Sequence, residues 1–186
     1  PTHHVCRRQR QMCIRDSCRC ALGRRPTVPR PRVLILAWGN PSRGDDALGP
    51  RLIERLEGTG DGVAALGAEL LTDFQLQIEH ALDLAERDLV VFADAAASGA
   101  APFAFDPVAS NPALPISTHA LSPGAVLSVY QRVLGGPEPR CYQLAIRGYD
   151  FELGRDLSPA ASTNLDAALA HLLDWLARAH GEPCLQ

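Results

Sequence analysis

The stretch RVLILAWGNPSRGDDALGPRLIERL, Arg32 to Leu56, limits the fold more than any other part of the chain. Val33 to Trp38 is a short apolar run with β-branched residues, bounded by Pro31 and by Gly39-Asn40. Such a run predicts a buried strand. Gly39, Asn40, Pro41, Ser42 and Gly44 then supply dense turn chemistry. Asp45-Asp46 follow, and Leu48, Leu52, Ile53 and Leu56 recur at helical spacing. Carboxylates at a helix start satisfy its free N–H groups and favour its dipole, so Asp45 is expected to cap this helix. The order strand, loop, helix puts two adjacent carboxylates at the carboxyl end of a central strand. Open α/β folds build their sites there.

Downstream, strands and helices alternate. Ala64 to Leu71 can supply a second strand, and Asp73 can cap a short helix carrying Leu76, Ile78, Leu82 and Leu84. Leu89 to Ala93 is a clear strand ending in Asp94 and small residues, and Phe103 to Val108 can form another. Ser122-Pro123 reads as the start of a helix, with Pro where a missing N–H costs nothing, and Val126, Leu127, Tyr130 and Leu134 toward the core. Cys141 to Ile146 predicts the last strand, and Leu165, Leu169, Leu172, Leu173 and Leu176 mark an amphipathic terminal helix. This alternation predicts a single three-layer α/β/α domain with a twisted, mostly parallel sheet of about five strands.

Charge separates one segment from the rest. Residues 1–32 hold nine Arg and one Asp, formally +8, against −11 for the remainder, and four of the six Cys. A Cys/His knuckle would need an unusual zinc spacing. A basic arm for nucleic acid is a second reading. The third, which we prefer, is that residues 1–31 are a disordered tail or are not native protein, since QMCIRDS resembles translated adapter read-through. The domain is therefore expected over 32–180, with 181–186 a frayed end. No apolar run has membrane-spanning length, so a membrane location is not expected, and no secretory h-region follows the arginines.

Asp46, Asp94 and His119 stand in loops after strands or before helices. Two carboxylates and an imidazole suit a divalent transition metal and leave positions for water or a substrate atom. Each also has a structural explanation: Asp46 could cap a helix, Asp94 could end a strand in a turn, and His119 could be a solvated loop residue. Asn40 could donate to a developing oxyanion or simply stabilise its turn. Glu79 and His80 could line a groove or a solvated helix face, and Tyr149, Phe151 and Glu152 carry the same ambiguity. Cys141 reads as a buried strand residue and Cys184 as part of a frayed end, so neither is a nucleophile. A nucleotide site is disfavoured, because the first loop has no phosphate-binding glycine pattern and its two Asp would repel phosphate.

The motifs GNPSRGDDALGPRL, LVVFADAAAS and STHALSP, in that order, resemble the hydrogenase maturation endopeptidases, whose opening is Gly-Asn-x4-Asp-(Asp/Glu)-x-x-Gly. Leu157-Ser158-Pro159 also fits, so the resemblance spans everything but the tail. DFQLQIEHALDL is similar to the branch serving bidirectional, NAD-linked hydrogenases. The resemblance implies a cytoplasmic peptidase that removes the C-terminal extension of a nickel–iron hydrogenase large-subunit precursor. The nickel would be that of the precursor, engaged by Asp46, Asp94 and His119, which are also the expected catalytic residues. No organic cofactor, nucleic acid or membrane partner is implied. The alternative is a non-catalytic, metal-sensing assembly factor for the same precursor.

Overall fold

The apolar run at the start of the domain becomes β1, Val33–Trp38, with both faces covered. A computed structural model of the chain describes residues 32–60, 63, 67–110 and 121–179. The expectations for the tail, for His119 and for Cys184 lie outside the described residues. Along β1, Val33, Ile35 and Ala37 face one layer while Leu34 and Leu36 face the other. A strand buried on both sides has no polar alternation, which is why it reads as a continuous apolar run. The same holds for β3, Leu89–Ala96, until the chain reaches Asp94.

Around these two central strands lie β2 (Ala68–Asp73), β4 (Phe103–Val108) and β5 (Arg140–Arg147). The sheet order is β2-β1-β3-β5-β4, parallel except for β4, which runs antiparallel to β5 at the edge. Helices α1 (Leu48–Gly58) and α4 (Pro159–Ala179) cover one face, and α2 (His80–Asp83) and α3 (Pro123–Val133) the other. The expected three layers and five strands are present. Chain direction across the sheet reverses between β1 and β3, so their carboxyl ends open a crevice at a topological switch point.

Three expectations need correction. The second strand ends at Asp73 rather than Leu71, because pairing with β1 runs through Trp38↔Asp73 and the Gly39 N–H continues it onto the Asp73 carbonyl at 3.1 Å. Asp73 therefore ends a strand, and the helix after it shrinks to His80–Asp83, with Ile78 and Leu82 exposed while Leu76 and Leu84 are buried. Leu134 follows the end of α3 and is exposed rather than core-facing. Ser122 caps α3 as expected, its hydroxyl accepting from the Ala125 N–H at 3.3 Å.

Candidate active site

Close backbone approach shapes the loop after β1. Gly39 has φ +142°, and a Cβ there would lie 2.0 Å from the Asp46 carbonyl oxygen. Only glycine lets the chain fold back so tightly. Asn40 then acts twice: its Oδ1 accepts from the Ser42 N–H at 2.9 Å, and its own N–H donates to Asp46 Oδ2 at 2.9 Å. The side chain thus stabilises the turn, and the backbone fixes the Asp46 carboxylate.

Asp45 does not cap the helix. α1 has Ala47 at its N-cap position and no side-chain cap. Instead the fully buried Asp45 carboxylate reaches across to the loop after β5. It accepts from the N–H groups of Tyr149 (2.6 Å), Asp150 (2.9 Å) and Ser158 (2.7 Å) and from the Ser158 hydroxyl (2.8 Å). Burial opposes its ionisation, but these four donors outweigh burial and hold its pKa below 3.8. Ser158 Oγ also accepts from the Ala161 N–H at 3.2 Å, so one serine starts α4 and anchors Asp45. Two loops far apart in sequence are thereby locked together beneath Asp46.

Asp94 has the opposite environment. Burial raises its pKa most strongly; the Ala95 N–H, donating at 2.7 Å, lowers it, the nearby Asp46 charge raises it, and the Trp38 indole lowers it. The balance leaves Asp94 at about 7. Asp46, in the short 3-10 turn after β1, and Asp94, on β3, are therefore brought within electrostatic reach. Among the described residues no three His, Cys, Asp or Glu side chains converge, and the third expected member, His119, lies outside them. Asp94 lines a cleft of about 310 Å³ with Trp38, Gln75, Leu76, Leu121 and Gln143. A larger cavity, about 570 Å³, opens near Arg32, Asp88 and Arg140 at the amino ends of the strands, away from both carboxylates. We place the site at the carboxyl end because the perturbed acid is there.

Sequence reasoning missed Trp38 and Gln143. Strand alternation could have found them: Trp38, Asp94 and Gln143 fall on the same face of β1, β3 and β5. His80 is neither groove-lining nor solvated. It is buried, its Nδ1 accepts from the Gln77 N–H at 2.9 Å, and its Nε2 lies 3.4 Å from Asp73 Oδ2. Tyr149 is half exposed, under the Arg147 guanidinium, and receives a bond from Asn164 Nδ2 at 3.2 Å. The buried Cys141 thiol is pushed up to about 12 by burial and by Glu138, which leaves no thiolate for nucleophilic attack.

No protein-family model matches this chain, and no curated protein does. Solved structures do. The hydrogenase maturating endopeptidase HybD from E. coli is 26% identical with a TM-score of 0.64, over 80% of this chain and 93% of that one. An endopeptidase from Escherichia coli solved in solution is 26% identical with a TM-score of 0.60 over the same shares. The structural neighbours of this chain are hydrogenase maturation proteases, and it shares their fold. A third structure of the same fold, the NiFe hydrogenase maturation protease HycI from Thermococcus kodakarensis, is 24% identical with a TM-score of 0.59, over 78% of this chain and 92% of that one. In this chain the first-loop motif, with Asp46, sits at the switch point of the sheet, next to the strand that carries Asp94.

Proposed function

We propose that this protein is the endopeptidase that removes the C-terminal extension of a nickel-loaded hydrogenase large-subunit precursor. One observation carries the reading: Asp46 and Asp94, from separate elements, meet at the switch point, and Asp94 is held near 7 by burial and by Asp46. A cation arriving on the substrate would relieve the repulsion between Asp46 and Asp94, displace the Asp94 proton and draw the carboxyl into its ionised form. Asp46, Asp94 and His119 recognise the nickel that the precursor already holds, so metal insertion is what positions the cut. For hydrolysis, water attacks the scissile carbonyl carbon, its proton passes to a cleft carboxylate, and that proton leaves with the amine as the C–N bond breaks. Asn40 Oδ1 is used within its own turn, accepting from the Ser42 N–H, which fixes the orientation of its side-chain amide. Among the described residues no helix is long and apolar enough to cross a membrane, which is compatible with action in the cytoplasm before the hydrogenase is assembled.

The test is a precursor-processing assay with nickel-loaded and nickel-free large subunit, read as a mobility shift, alongside Asp94→Ala and His119→Ala. Cleavage only of the loaded precursor, lost in both variants, is the expected result. Intact precursor that co-purifies with the protein would instead support the non-catalytic assembly factor.

A further inference from the structure

We propose that the groove leading from Asp94 past residues 75–79 seats the polypeptide segment flanking the cut, as an extended chain with apolar and no acidic side chains. This rests on the peptidase reading above. Two depressions share Gln75, Leu76 and Leu121: the cleft at Asp94, and a second of about 180 Å³ that continues past Gln77, Ile78 and Glu79. The path therefore runs from the carboxylate outward along one loop.

The chemistry of its lining points to a peptide main chain. Gln75 and Gln143 both line the Asp94 cleft, and neither side-chain amide has a hydrogen-bond partner among the described residues. An amide offers one acceptor and a donor pair, matching what successive peptide groups present. Gln143 pairs with Phe92 across β3–β5, two residues before Asp94 on the same face, so its amide stands beside the carboxylate.

The loop is also built to hold its shape. Asp73 Oδ1 accepts from the Phe74 N–H at 2.6 Å, Asp73 Oδ2 accepts from Gln77 Nε2 at 3.0 Å, and buried His80 accepts from the Gln77 N–H. Pinned in this way, the loop leaves Ile78, which lines the second depression, 39% exposed, and its neighbour along the loop, Phe74, 67% exposed. Large apolar side chains held rigidly in water beside a cleft are a surface for a partner chain. Charge narrows the partner further. Among the described residues, Asp94 and Glu79 are the charged residues lining the two depressions and no Arg lines either, while Asp46 adds its charge to Asp94. An acidic side chain of a metal-free peptide entering there meets like charge, with no cationic side chain among the described lining residues.

The probe is a synthetic peptide spanning the cut of the cognate precursor, together with the same peptide carrying Asp next to the cut. Binding is read by the fluorescence of Trp38 in a Trp175→Phe background, with circular dichroism confirming that each variant is folded. Gln75→Ala and Gln143→Leu are each expected to weaken binding by roughly 3–10-fold. The acidic peptide should bind at least ~10-fold more weakly, and Glu79→Arg should recover most of that loss. Equal binding by every variant and both peptides would overturn the groove. So would undisturbed cleavage of the precursor by all three variants, while leaving the peptidase reading intact. Groove-dependent peptide binding without precursor cleavage would keep the groove and sink the peptidase. Neither binding nor cleavage would remove both.

Discussion

Substituting Asp94 by Asn removes a charge but keeps an oxygen that can accept from the Ala95 N–H and the Trp38 indole. The consequence for stability follows from linkage. In the folded protein Asp94 titrates at about 7, against 3.8 for a solvated aspartate. The folded state therefore holds a proton that the unfolded chain releases. At and below pH 3.8 the carboxyl costs nothing; as pH rises toward 7 it destabilises the fold progressively, and above 7 the cost is constant. At about 1.4 kcal/mol per pH unit, the full shift is worth roughly 4 kcal/mol, and water entering the cleft reduces this to about 2–4 kcal/mol. Asp94→Asn should thus match wild type in stability near pH 4 and exceed it at pH 8, by roughly 5–15 °C in Tm. Precursor processing should meanwhile fall by at least ~100-fold. The assay is thermal unfolding in chelator-treated buffer from pH 4 to pH 8, with processing measured in parallel. A difference in Tm that is flat with pH, or a variant less stable than wild type at pH 8, would refute the reasoning.

Asp45→Asn is expected to act with the opposite sign, because it turns an acceptor of four donors into an amide that must present N–H to one of them. A loss of about 3–5 kcal/mol at pH 7 is expected by urea unfolding. Since the Asp45 pKa is lowered, its contribution is present above pH 3.8 and lost as pH falls through the folded value, so the variant and wild type should converge in acid. Gly49→Ala should destabilise despite the better helix propensity of Ala, because the added Cβ would lie 2.2 Å from the Trp38 carbonyl oxygen and force α1 off β1; a net loss of about 2 kcal/mol or more is expected by chemical denaturation. Cys141→Ala should leave processing unchanged, and the thiol in the native protein should resist iodoacetamide at pH 8, checked by mass spectrometry after brief labelling.

The local order of the chain determined much of this protein. β1 and β3 could be read directly because strands buried on both faces must be apolar throughout, and such runs have few other folded forms. Ser122-Pro123 declared a helix start through chemistry confined to a few neighbouring residues. Alternation of these elements was enough for a three-layer α/β domain, and the spacing of Asp46 and Asp94 after strands was enough to nominate them. Tertiary structure decided what each carboxylate does. Asp45 and Asp46 are neighbours of identical chemistry, yet Asp45 is consumed by N–H groups more than a hundred residues away while Asp46 faces Asp94. His80, polar on a short helix, became a buried acceptor because the loop before it folds back onto it. Trp38 and Gln143 joined the cleft only because three parallel strands set them on the same face as Asp94. Local pattern encodes which segments bury their faces, since burial follows the periodicity of a single element. Ionisation and partnership depend on the field and the donors supplied by other elements, and those distances exist only once the chain has folded.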